Sequence, residues 1–176
     1  MKKIFALLIT SFAINYLGAQ QPVSRYDESC NCNIITNTDE KGNLTSVHHE
    51  NLKGKRHGSE TVYHSNGTVA YERTWHNGKL HGKGTHYHAN GNIYYHEHYD
   101  HGAKTGTWDF YTDDGTPVQS ITYTGQGNDG EYVFYHNGVA YLKQIIQNGK
   151  LKEETVLNPD VLEAVKAEKA SSRSSK

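Results

Sequence analysis

Aliphatic side chains are scarce in this chain. Leu, Ile, Val and Phe together number 33 of 176 residues, and 8 of them fall in the first 20, so the other 156 positions hold 25. That fraction, about one in six, is too small for an ordinary aliphatic-core enzyme, a coiled coil or a polytopic membrane protein. Proline is scarce as well, at 3, and the formal net charge is only -1. A disordered chain combines few hydrophobic residues with high net charge, and the second half of that signature is missing. Without a basic excess, nucleic acid is not an expected partner. Gly (17), Tyr (13) and His (12) are plentiful instead. This balance points to a β-rich, aromatic-packed chain with many turns.

Residues 1–20 read as a secretory signal peptide. Lys2 and Lys3 form a charged start, Ile4 to Ile14 is apolar apart from Thr10 and Ser11, and small residues follow at Gly18-Ala19. Cleavage is expected between Gly18 and Gln21. The apolar run is too short to span a bilayer, and no Cys follows it to take a lipid anchor. The expectation is export to the periplasm, the outer envelope or the medium. The mature chain then carries 16 basic and 19 acidic residues. Residues 21–33 form a linker holding the two cysteines, Cys30 and Cys32, in an oxidising compartment. A bridge across one residue is sterically strained. A local disulfide or two tail thiols is the plain reading; an intermolecular disulfide, or a copper or zinc contact, is the functional one. Two such cysteines cannot complete a metal site alone.

From residue 34 to 157 one unit recurs. Gly42, Gly67, Gly91, Gly115 and Gly138 open successive units at intervals of 25, 24, 24 and 23 residues. Two residues after each comes Leu44, Val69, Ile93, Pro117 or Ala140, and eight after the last four comes Trp75, Tyr99, Tyr123 or Ile146. Further glycines stand at Gly58, Gly82, Gly106 and Gly130, each followed five residues later by Tyr63, Tyr87, Tyr111 or Tyr135. Asn-Gly and Asp-Gly permit the positive φ of tight hairpin turns. The segments between them alternate polar with Thr, Val, Ile, Tyr and Trp, the period of a half-buried strand. The expected fold is all-β: an elongated antiparallel meander of consecutive hairpins, roughly ten short strands, each contacting mainly its neighbours. Ile34–Thr38 fits as a leading half-unit. Pro117 marks a bulge or strand end. Asn158-Pro159-Asp160 starts a short helix over 158–170, and 171–176 is a polar, disordered tail.

The pattern G-x-V-x-Y-x-x-x-W-x-N-G-K-x-x-G-x-x-x-x-Y-x-x-N-G, running from Gly67 to Gly91, resembles the MORN-repeat variant, a bacterial group that includes YwqK-type antitoxins. The resemblance covers about residues 34–157. It implies a hairpin sheet used for binding or scaffolding, with a protein or a membrane surface as partner. Only about 20 residues follow the repeats, which leaves no room for a separate catalytic domain. An antitoxin or immunity role compatible with export is protection against a toxin outside the cytoplasm.

Two candidate surfaces follow from hairpin register. With a three-residue loop Ala89-Asn90-Gly91, Tyr87 pairs with Ile93 and Thr85 with Tyr95. His86, His88, Tyr94, His96 and His98 then share the opposite face. His86, His88, His96 and His98 are candidate ligands for zinc, copper or nickel; the plain reading is a solvent-facing polar row. The laddered Tyr63, Tyr87, Tyr111 and Tyr135 read as core, or alternatively as a recognition stripe. Trp108, Phe110, Tyr132 and Phe134 lie on the other side of their strands and form the candidate partner-binding surface, unless the C-terminal helix covers it. No nucleophile elbow, zinc-protease motif or phosphate-binding loop is present. No catalytic residue, cofactor or small-molecule substrate is indicated, and the chain reads as a non-enzymatic binding module.

Overall fold

The computed structural model describes residues 21–125 and 127–174; the expected signal peptide and the last two tail residues lie outside them. Strands β1 (Val23–Asp27), β2 (Cys32–Thr38), β3 (Leu44–Glu50), β4 (Arg56–Tyr63) and β5 (Val69–His76) lead the chain. They are followed by β6 (Lys79–Leu80), β7 (Gly82–Tyr87), β8 (Ile93–Asp100), β9 (Ala103–Lys104) and β10 (Gly106–Tyr111). The last four are β11 (Pro117–Tyr123), β12 (Gly130–His136), β13 (Val139–Gln147) and β14 (Lys150–Val156), before a single helix α1 (Pro159–Ser174).

All strands belong to one antiparallel sheet in sequence order, with the short β6 and β9 paired to β5 and β8. At a strand spacing of roughly 4.8 Å, the twelve-strand path is about 50 Å wide, whereas seven-residue strands are only about 23 Å long. The expected elongated meander is what forms, with more strands than the ten anticipated. β1 occupies part of the expected linker and pairs with β2 from Val23↔Thr36 to Asp27↔Cys32. In the turn between them Asn31 is left-handed (φ 51°), and Cys30 and Cys32 are disulfide-bonded with Cα atoms 5.2 Å apart. The intermolecular and metal-contact readings of this pair therefore do not apply.

Four successive hairpins carry a bulge at the Asn-Gly or Asp-Gly turn that opens a unit. The register shifts between Val62 and Tyr63, His86 and Tyr87, Phe110 and Tyr111, and Phe134 and Tyr135. Each laddered tyrosine thus opposes the start of the next strand, as in Tyr87↔Ile93, with an extra residue bulged out beside it. Pro117 stands first in β11 beside the bulged Val118, where its missing N–H costs no ladder bond. The turns close in the same way in three units: Asn66, Asn90 and Asp114 side-chain oxygens accept from the N–H of Thr68, Asn92 and Thr116 at 3.1, 2.9 and 3.0 Å.

We call the face bearing Glu60, Trp75 and Trp108 the front. The laddered tyrosines project from the back, half-buried, so they are not the core that spacing suggests. The most buried row runs across the front through His48, Glu60, Glu97, Trp108 and Ile121. Beside it, Gly58, Gly82, Gly106 and Gly130 pair directly with Trp75, Tyr99, Tyr123 and Ile146. A large side chain opposite a bare glycine covers sheet surface that no second layer covers.

Asn158 caps α1, its Oδ1 accepting from Val161 N–H at 3.2 Å. The helix continues past the expected end at 170 to Ser174, because Ala167-Glu168-Lys169-Ala170 favours helix and no breaker follows. It packs against β13, with Val165 buried and Glu168 3.4 Å from His136.

Candidate functional site

The front face divides into a charged half and an apolar half. In the charged half, Glu60 is 1% exposed and accepts from three donors: Arg73 Nε at 2.9 Å, Trp75 Nε1 at 2.8 Å, and Arg56 Nη1. Arg73 sits on β5 directly across from Glu60, and its guanidinium stacks over Tyr71 at 4.2 Å. Burial works against the Arg73 charge, but the Glu60 hydrogen bond, Tyr71 and the Glu60 charge outweigh it and raise its pKa. Glu60 is thus a fully engaged carboxylate, the arrangement a buried charge requires.

One repeat on, the corresponding row residues are Gly84 and Glu97. Glu97 is 3% exposed, and its Oε1 lies 3.4 Å from His86 Nε2. A Cβ on Gly84 would come within 2.6 Å of that oxygen and 2.8 Å of Glu97 Cγ, so the glycine makes room for the carboxylate. His86 is sandwiched between Tyr71 and Tyr95, at 5.0 and 4.0 Å between ring centres, and Tyr95 stacks in turn on Phe110 at 5.1 Å. Burial, reinforced by the Glu97 charge, pushes the Tyr95 hydroxyl up to about 12.

The apolar half follows without a break. Phe110 pairs with Tyr95 and Gln119, Trp108 with Ile121, Ile121 with Tyr132, and Gln119 with Phe134. The four residues expected to form a partner surface, Trp108, Phe110, Tyr132 and Phe134, therefore share one face. Trp108 is buried and the other three are half-buried. Lys104 bridges the edge of this patch, its Nζ 5.3 Å from Trp108 and 5.1 Å from the Tyr123 ring. The helix packs against β13, on which Tyr141, bulged like the exposed Tyr94 and Val118, is buried.

The expected histidine face does not form. The bulge at His86/Tyr87 pairs Thr85 with His96 and His86 with Tyr95. One added residue reverses every side chain beyond it. His86 consequently faces the front, whereas His96 and His98 face the back. His88 lies at the turn edge, its Nε2 3.0 Å from Tyr111 O, repeating the contact of His64 with Tyr87 O at 3.0 Å. These two histidines clip each hairpin to the next. Spacing of 24 residues between His64 and His88 signals that role in the sequence, whereas pairing of Glu60 with Arg73 and Trp75 has no local signal.

A different group of histidines does converge, at the opposite end of the hairpins. His81, Asp100 and His101 each place one ligand-type atom within 4.8 Å of the others, and His76 and His57 adjoin them.

A single-layer sheet made from one repeated hairpin, with recurring turn clips, glycines paired to large side chains, and bulges, defines a β-hairpin repeat protein. Residues 56–77 and 80–101 match the MORN repeat variant, and this segment holds two such repeats. No curated protein matches the chain.

Proposed function

We propose that this protein is an exported, non-enzymatic scaffold that binds another protein through the apolar half of its front face. The observation that carries the reading is the row of Phe110, Tyr132 and Phe134, aromatic side chains half-buried on a single-layer sheet, next to Trp108. A protein ridge fits this surface better than a membrane does, because the mature chain has 16 basic against 19 acidic residues and no polybasic cluster to hold anionic lipid. Site-specific photo-crosslinking tests it. A cross-linker at Phe134 should trap one partner from envelope extract, whereas one at Val133, on the back of the same strand, should not. The double change Phe110→Ser and Phe134→Ser should reduce recovery at least several-fold with an unchanged circular dichroism spectrum. Equal labelling from both faces, or partition onto lipid vesicles in place of a protein, overturns the proposal. The partner's identity decides whether the scaffold is an immunity protein: a toxin trapped at Phe134 makes it one. Export has its own test, an intact mass for the native protein that begins between Ala19 and Gln21. Retention of Met1 in the cytoplasmic fraction would refute it.

A further inference from the structure

The histidine-rich turn edge is not used by the front face, and its geometry points to a second function. We propose that His81, Asp100 and His101, with His76 as fourth ligand, bind one late first-row divalent cation, zinc or copper. Each of the three offers one ligand-type atom within 4.8 Å of the others. Donors around a tetrahedral zinc at about 2.05 Å lie roughly 3.3 Å apart, so closure needs only small rotations of exposed side chains. Asp100 Oδ1 already lies 2.5 Å from His101 Nδ1 and 3.3 Å from His81 Nδ1. The His76 ring centre is 5.9 Å from that of His81 and 6.0 Å from that of His101.

The backbone carrying these groups is held in place. His101 is left-handed (φ 49°) in the turn after β8, and the N–H of the adjoining Gly102 donates to Leu80 O of the previous hairpin at 2.8 Å. His101 N–H also points at His81 Nδ1, 3.4 Å away, a long contact that a cation on that nitrogen replaces. The two turns that supply ligands are therefore tied together before any cation arrives, which lowers the ordering cost of binding. Imidazole nitrogens with one carboxylate suit zinc, copper and nickel, whereas calcium and magnesium require oxygen donors. The repeat provides an internal contrast. One unit earlier, Asn77 stands where His101 does and His76 where Asp100 does, so among the described residues the three-ligand set is completed between β6 and β9.

The test is calorimetry on the mature full chain without an affinity tag, titrated separately with zinc and copper. One equivalent should bind with micromolar or tighter affinity. His101→Asn installs the residue that Asn77 and Asn148 provide at the same left-handed turn position, so the fold is retained. This variant, and Asp100→Asn, should each weaken binding by about tenfold or more. The double variant His96→Gln/His98→Gln, on the back face, should bind as the parent does. Cobalt in place of zinc should give the intense visible absorption of a tetrahedral site. Millimolar affinity, binding unchanged in His101→Asn and Asp100→Asn, or loss in the back-face variant would each overturn the site. None of these outcomes touches the Phe110–Phe134 surface, so the two proposals fail independently.

Discussion

Two residues in the central row show how little tolerance a one-layer sheet has. Gly84 is flanked by Glu97 and Arg73, and a methyl group there would stand 2.8 Å from Glu97 Cγ and 3.1 Å from Arg73 Cβ. Gly84→Ala should therefore destabilise the protein by about 1–3 kcal/mol, read as a lower urea midpoint with an unchanged slope. On the back face, His96 is half-buried, and burial followed by the nearby Lys83 charge lowers its pKa below 6.5. Its neutral form is thus favoured by folding, and between the two pKa values the unfolded chain binds more protons. This contribution to stability is complete above pH 6.5 and is lost as pH falls through the lower folded value. His96→Gln should flatten the stability–pH profile in that window; an unchanged profile would place the effect on other groups.

At the scale of elements, the helix and the turns do different work. The turns repeat a side-chain device: His57 Nδ1 accepts from Asn77 N–H, His81 Nδ1 from His101 N–H, and Asp129 from both Asn148 and Gly149. Each joins one hairpin's turn to the strand start of the hairpin before it. The helix instead ends the stack, packing against β13, where Tyr141 is buried. Removing its cap, Asn158→Ala, should cost about 1 kcal/mol of helix stability. Raised amide exchange confined to α1 and β13 would confirm a local effect, whereas loss across the whole sheet would show that the helix nucleates the fold.

Over the whole molecule, stability has no single centre. Each strand pairs only with its neighbours, so the chain behaves as a row of coupled units rather than one cooperative core. Protection from hydrogen exchange should be greatest at β7, β8 and β10 and decay toward β1 and β14, which have one neighbour each; uniform protection would contradict this. Both ends are open sheet edges. β14 carries Lys150, Lys152, Glu153 and Glu154, and β1 carries Arg25 and Asp27, charges that discourage edge-to-edge pairing.

The amino-acid sequence by itself determined the repeat, the hairpin turns and the pairing of Tyr87 with Ile93, because glycine at positive φ and period-2 alternation are local requirements. It also placed Trp108, Phe110, Tyr132 and Phe134 on one face, since alternation within each strand and equivalent offsets in successive repeats relate them. Tertiary structure decided the rest. A bulge adds one residue to one strand, and only the partner strand shows where, so it was pairing that sent His86 to the front and left His96 and His98 behind. Nothing local marks Glu60 and Glu97 for burial; Arg73, Trp75 and Gly84 come beside them from neighbouring strands. The convergence of His81, Asp100 and His101 likewise depends on the stacking of successive turns. The excess of histidine evident in the composition thus resolves into turn clips, a stacked ring and one metal-type cluster, a division that the folded neighbours of each ring imposed.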